Sequence, residues 1–284
     1  MVGNIYTIES PDKKWRAEVS ARLGANIIKL QHDNEHIFMP LETKPQFEEN
    51  PFVIGSPILF PANRTYKGDF IFHARKYTLP INDSLNVSNL HGFLYCKNFN
   101  VLEKTEQKIT LCYENVDDIY PFPFKIIVEY FLDNKGLKQC YSIENIGDSD
   151  MPFTFALHTT FKEPKFFSVP IELCHEKNEE HIPTGRYIEL NDQEKLYSSG
   201  SASENLVISG YYKSCGNIAQ IGNIVYKVSN NFDHWILYNG GGKSGFLCVE
   251  PQCGAVNGLN IKNGFKILRP KCCEVFVTEI TKNI

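Results

Sequence analysis

No apolar run in this sequence approaches the roughly 18 residues that a membrane-crossing helix needs. Residues 1–15 alternate in polarity and carry charge early, so they lack the apolar centre of a secretory signal, and a cytoplasmic location is expected. There is no basic surplus: the formal charge is −4 and the pI near 6.1, which leaves no positive field to attract nucleic acid. The nine cysteines are odd in number and contain no Cys-x-x-Cys pair, so neither a disulfide framework nor a zinc half-site is expected. Most sit in apolar runs such as Leu111-Cys112-Tyr113 and Leu247-Cys248-Val249, where a thiol behaves as a small core residue. Amphipathic helix patterns longer than about three turns are also missing. So are fixed-period repeats and low-complexity tracts.

What is present is β-forming sequence. Aromatic residues make up 13% of the chain, with 20 Phe and 14 Tyr, and such side chains suit a pleated, half-buried surface. Alternation marks strands at Trp15–Val19, Ile27–Leu30, Asn100–Glu103, Ile109–Tyr113 and Lys125–Phe131. Further strands are expected at Phe153–Leu157, Ile224–Ser229, Trp235–Tyr238, Phe246–Val249, Phe265–Leu268 and Glu274–Ile280. Asp133-Asn134-Lys135-Gly136 reads as a hairpin turn, because Asn, Asp and Gly tolerate positive φ. The stretches Glu176–Gly185 and Asn191–Asn205 read as surface loops, and no composition shift marks a domain boundary. With 284 residues to fold and apolar strand faces to cover, the expectation is one domain over 1–284: an all-β, mostly antiparallel β-sandwich.

Several motifs look like chemistry and are not. Gly240-Gly241-Gly242-Lys243-Ser244 lacks the first glycine of a phosphate loop, since Leu237 stands in its place and no helix follows; it reads as a hairpin. His175-Glu176 with His181 has the wrong spacing for a zinc protease, because Glu179 occupies the second ligand position. His32 and His36 flank a turn at Asp33-Asn34-Glu35.

Four positions remain. Glu250 closes the apolar run Phe246–Val249 and precedes Pro251, which is expected to stop the strand. A carboxyl there is either half-desolvated, with a raised pKa suited to base chemistry, or a strand-end member of a salt bridge. His158 ends the apolar run Pro152–Leu157 and is either a hydrogen-bonded core residue or a proton carrier. His91 is followed by Gly92, which permits close backbone approach to a ligand. Arg64, after Phe60-Pro61-Ala62-Asn63, is a planar donor in a cleft or one half of a structural ion pair.

Taken together these words resemble the aldose 1-epimerase (galactose mutarotase) family, most of all its shorter bacterial branch. The resemblance runs through Gly24–Ile27, Phe60–Arg64 with Gly68, Tyr77-Thr78-Leu79-Pro80 and Asn89-Leu90-His91-Gly92. It continues through Pro152–His158, Ile182–Gly185, Trp235–Tyr238 and Cys248-Val249-Glu250-Pro251-Gln252. It implies a galactose mutarotase-like sandwich that interconverts the α and β anomers of a free aldohexose without cofactor or metal. By the same resemblance Glu250 is the general base at the anomeric hydroxyl and His158 the acid at the ring oxygen. Arg64, His91 and Asn63 hold the sugar. The family's sugar-binding Asp has no match; Ser209 stands at the likeliest place, and Asp233 belongs to a different strand start.

Two other functions stay open. A hexose-6-phosphate 1-epimerase needs cations for the phosphate, and Lys67, Arg75 and Lys243 are the candidates. A non-catalytic sugar-binding or sensing protein keeps the pocket without turnover, with Phe93, Tyr120 and Phe161 either stacking on the sugar or filling the core. In each case the partner is a small sugar rather than nucleic acid or membrane, and the chain acts as a monomer or homodimer. Glycoside hydrolysis wants two carboxylates, and only Glu250 stands out.

Overall fold

The computed structural model describes residues 4–116, 119–180 and 182–283, so His181 lies outside it. Two eight-membered antiparallel sheets dominate. In the first, Phe124–Leu132 and Gly136–Asn145 lie centrally, flanked by Lys108–Asn115 on one side and Cys273–Lys282 on the other. In the second, Ser209–Ser214, His234–Tyr238 and Phe246–Cys253 run side by side, followed by Phe155–Leu157 and Ile58–Leu59. A separate four-stranded sheet is built from the first 36 residues, ending at Glu35–His36.

Local sequence explains these elements. Along Phe124–Leu132 the odd members Phe124, Ile126, Val128, Tyr130 and Leu132 are buried, and the residues between them are not. That is the period-two signature of a strand with one covered face. The turn forms because Asp133 Oδ1 accepts from the backbone N–H groups of Lys135 and Gly136, at 2.7 and 3.1 Å. Side chains of the two sheets meet in an aromatic core. Phe155 of the second lies 4.7 Å from Phe276 of the first, ring centre to ring centre. Phe60 lies 4.4 Å from Phe124. Each buried ring of this kind stabilises the fold by about 1.5–3 kcal/mol.

Three sequence expectations need correction. Pro183–Glu189 is a strand rather than part of a loop, paired with Ile171–Lys177 at the sheet edge and exposed along all but its first residue. Asp192–Ser199 is a two-turn helix inside the other expected loop. Its start was readable: Asn191 Oδ1 accepts from Glu194 N at 2.9 Å, and Glu194 Oε2 accepts from Asn191 N at 3.0 Å, a reciprocal capping box. Cysteines divide differently too. Cys112, Cys174, Cys248 and Cys253 are buried, whereas Cys96, Cys215, Cys272 and Cys273 are exposed; none of the nine forms a disulfide.

The fourth correction places the site. The Phe246–Cys253 strand does not stop at Pro251 but runs through it, paired with His234–Tyr238 along its length. On its other side the ladder is broken. Thr160–Lys162 pairs with Phe246–Cys248, and Phe155–Ala156 with Gln252–Cys253. Between them the bond from Val249 N to Thr159 O remains, at 2.9 Å. Backbone N–H groups alternate in direction along a strand, so the missing donor of Pro251 points the same way as Val249 N, into the break. A proline is therefore tolerated in a central strand at no cost in ladder bonds. Glu250 sits mid-strand, beside the gap that His158 and Thr159 fill.

Candidate active site

A cavity of about 280 Å³ opens on the face of the second sheet that carries Glu250, of a size for one small molecule. Its floor comes from one row across three strands, Tyr211, Ile236 and Glu250, which are direct cross-strand partners and so share a face. Ser209 and Tyr238 extend the floor, and Asn50, Phe52 and Val53 close one side. His158 enters from the break in the ladder, with its backbone N–H bonded to Pro57 O at 3.0 Å.

Asn63, Arg64 and His91 arrive on two facing segments. Arg64–Tyr66 pairs with Ser88–Leu90, and His91 N donates to Asn63 O at 2.7 Å. Asn63 and His91 both adopt left-handed backbone, with φ of 56° and 62°. Such a conformation costs roughly 1–2 kcal/mol for a residue with a Cβ, and here it turns both side chains into the cavity. Gly92 follows with φ 64°; a Cβ there would lie 1.9 Å from Phe60 O, so only glycine lets these segments approach.

All five residues singled out in the sequence therefore line one cavity: Asn63, Arg64, His91, His158 and Glu250. His158 Nε2 lies 3.4 Å from Glu250 Oε1. The His91 and His158 rings are 5.1 Å apart and nearly perpendicular. Arg64 donates from one terminal nitrogen to Tyr211 Oη at 2.7 Å, and its Nε lies 3.8 Å from Asp83 Oδ2.

Burial sets the charges. It holds the Glu250 carboxyl well above the ordinary range and pushes His158 down to about 4. His91 is held well below 6.5, first by burial and then by the charges of His158 and Arg64. The 3.4 Å separation suits an ion pair, yet both groups are pressed toward their neutral forms. Neutralisation is the dominant effect, since each side chain is almost wholly out of water. Among the described residues, five buried polar atoms around the cavity have no hydrogen-bond partner: Asn63 Oδ1, Arg64 Nε, His91 Nδ1, His158 Nδ1 and Glu250 Oε2. Unpaired buried polar atoms are rare and costly, and their convergence on one cavity is the mark of a site built for a polar ligand.

Sequence reasoning missed Phe52, whose ring lies 4.4 Å from that of His91 and 6.1 Å from that of His158. No motif announces it, because a 3-10 turn at Pro51–Val53 delivers it from a distant segment. It also missed Tyr211, which register alone reveals. The proposed stacking residues Phe93, Tyr120 and Phe161 are instead core residues, with Tyr120 donating to Pro152 O. Asp233 is engaged elsewhere, accepting from Gly254 N at 2.8 Å and lying 2.8 Å from His234 Nδ1. Lys67, Arg75 and Lys243 do not line the cavity. Lys67 and Arg75 lie over the rings of Tyr66 and Tyr77, and Lys243 sits in the exposed hairpin between Tyr238 and Phe246.

Two packed antiparallel sheets with a polar pocket on one of them are the architecture of the galactose mutarotase-like β-sandwiches. The sequence profile of the aldose 1-epimerase family matches residues 4–271, and this chain belongs to that family. The uncharacterised Escherichia coli K12 protein YihR is 27% identical over 172 residues, 57% of this chain and 54% of YihR. The match thus spans about half the length of that curated relative. A galactose mutarotase-like protein from Clostridium acetobutylicum superposes with a TM-score of 0.89 at 23% identity, covering 95% of this chain and 93% of that one. Galactose 1-epimerase from Lactobacillus acidophilus NCFM gives 0.73 at 17% identity, covering 99% of both. At these identities the structural likeness speaks for the fold. No helix among the described residues is long and apolar enough to cross a membrane.

Proposed function

We propose that this protein is a mutarotase that interconverts the α and β anomers of a free aldohexose. The observation that carries this reading is the meeting of Glu250 and His158, 3.4 Å apart, in a cavity whose other unpaired polar atoms suit hydroxyl groups. Opening a pyranose requires one proton to leave the anomeric hydroxyl and one to reach the ring oxygen as the C1–O5 bond breaks. Glu250 takes the first and His158 gives the second. The product is an open-chain aldehyde; rotation about C1–C2 turns its other face, and closure returns both protons. No net charge or electron is transferred.

Burial leaves the resting pair neutral, with its one proton on Glu250, and the reactive form is the tautomer with that proton on His158 and Glu250 ionised. Burial opposes either charge alone, and the opposite charges support each other at this separation. Arg64, His91 and Asn63 hold the sugar hydroxyls. Tyr211 orients Arg64 and, with Ser209, occupies the ground of the family's sugar-binding Asp.

The phosphorylated-sugar alternative is less well supported, because among the described residues Arg64 is the one lysine or arginine lining the cavity, and it is already engaged by Tyr211. Polarimetry on freshly dissolved α-D-glucose and α-D-galactose tests the proposal. Acceleration of mutarotation is expected, faster than on hexose 6-phosphates. Sugar binding by calorimetry with no acceleration would instead establish a binding protein and refute the enzyme reading.

A further inference from the structure

Cys248 stands two residues before Glu250 on the same strand, so both side chains emerge on one face. One ligand atom each of His158, Cys248 and Glu250 lie within 4.8 Å of one another, and all three residues are buried. No sequence motif shows this set, since His158 comes from a separate strand end. We propose that His158, Cys248 and Glu250 form a site for a thiophilic divalent cation such as Zn²⁺, which inhibits the protein by occupying the Glu250–His158 pair.

The donor chemistry and the distances support it. In tetrahedral zinc sites bonds of about 2.0–2.3 Å put neighbouring ligand atoms roughly 3.3–3.7 Å apart. The His158–Glu250 separation of 3.4 Å already meets this. The thiol sulfur lies within the same 4.8 Å group, and its contact with Thr160 Oγ1, at 3.4 Å, is the interaction that metal binding would replace. Among the described residues Glu250 Oε2 is buried without a hydrogen-bond partner, an acceptor that a cation would satisfy. Imidazole, thiolate and carboxylate together select zinc-like ions over Mg²⁺ and Ca²⁺, which want oxygen alone. Three protein ligands leave a fourth position toward the cavity. The ion is an inhibitor here, not a cofactor: as it binds, the Cys248 thiol and the Glu250–His158 pair each release one proton to solvent, and both proton-transfer groups are tied up.

Co²⁺ titration of the purified protein reads the site without turnover. A near-ultraviolet thiolate-to-cobalt charge-transfer band is expected in the wild type. Cys248→Ser, which leaves the sugar-lining residues in place, should lose the band and weaken Co²⁺ binding at least about tenfold, because even the loss of an outer-shell partner costs that much. Glu250→Gln should weaken it as well, and serves if the serine variant does not fold. The second arm rests on the mutarotase reading. Zn²⁺ should slow anomer exchange in the wild type and not in Cys248→Ser, while Mg²⁺ affects neither. A wild type without the band overturns the proposal. So does a band that survives in Cys248→Ser, which would place the metal on the exposed thiols. A band with no anomer exchange at all would keep the site and sink the mutarotase reading instead.

Discussion

Glu250 Oε1 and His158 Nε2 stand 3.4 Å apart, with side chains only 2% and 6% exposed. A carboxyl and an imidazole this close and this dry hold one proton between them more readily than none or two. Replacing Glu250 with Gln keeps the shape and removes the base. The expected outcome is a loss of anomer exchange by about 10²–10⁴-fold, read by polarimetry. At pH 7 the variant should melt no lower than the wild type, because it no longer carries a carboxyl that burial resists ionising. An unchanged rate would remove Glu250 from the mechanism.

The same pair fixes the pH dependence. His158 is pushed down to about 4, so a second proton joins the site only in that region and activity falls there as pH drops. Glu250 is held above the ordinary carboxylate range, so the shared proton leaves only above it, and activity falls again as pH rises. The profile of kcat/KM should be a bell whose two limbs belong to the pair rather than to either residue. Glu250→Gln should abolish the alkaline limb in whatever activity remains. A flat profile would contradict a shared proton.

Phe52 tests the cause of the acid limb. Its ring packs 4.4 Å from His91 and 6.1 Å from His158, and it excludes water from both. Phe52→Ala wets the imidazoles, which lifts their pKa values toward 6.5. The acid limb should therefore move to higher pH in the variant. If it stays in place, Phe52 shapes the cavity without setting the charge.

Tyr211 and Arg64 separate binding from chemistry. The tyrosine hydroxyl accepts from Arg64 at 2.7 Å, and among the described residues the Arg64 Nε has no hydrogen-bond partner. Tyr211→Phe leaves the guanidinium less fixed and short of another acceptor. A hydrogen bond to a charged group is worth about 1.5–3 kcal/mol, so KM should rise roughly tenfold or more while kcat changes less. A fall in kcat with KM unchanged would place Tyr211 nearer the reacting atoms.

Much of this was legible in the sequence, for physical reasons. Strands such as Phe124–Leu132 alternate because one face is covered, and that pattern survives without coordinates. Arg64, His158 and Glu250 follow short apolar runs and His91 stands beside Gly92, but it was the resemblance to the epimerase family that gathered them, with Asn63, into one set. Position was harder. Pro251 read as a strand end, because the sequence does not show that its missing N–H faces a break between two partner strands. The helix at Asp192–Ser199 was hidden by polarity, although its Asn191–Glu194 capping box was in plain view. Tyr211, Phe52 and Cys248 depend on register, a turn and a strand break, and those are properties of the fold alone.

A last prediction concerns stability away from the site. His175 is 2% exposed, packed 4.4 Å from the Tyr187 ring and 5.0 Å from that of His234, and among the described residues neither ring nitrogen has a hydrogen-bond partner. Burial first, and then the charge of His234, lowers its pKa to about 3. The folded state thus keeps His175 neutral, whereas the unfolded chain protonates near 6.5. Below that pH the unfolded state binds the extra proton, so folding stability falls as pH drops from 6.5 toward 3. Each unit of that interval costs about 1.4 kcal/mol at most. His175→Phe keeps an aromatic ring between the same neighbours and has nothing to protonate. Its melting temperature should exceed the wild type's by several degrees at pH 5, with the difference shrinking as pH rises toward 6.5 and levelling off above it. An equal gap at pH 5 and pH 8 would show that packing, not protonation, separates the two proteins.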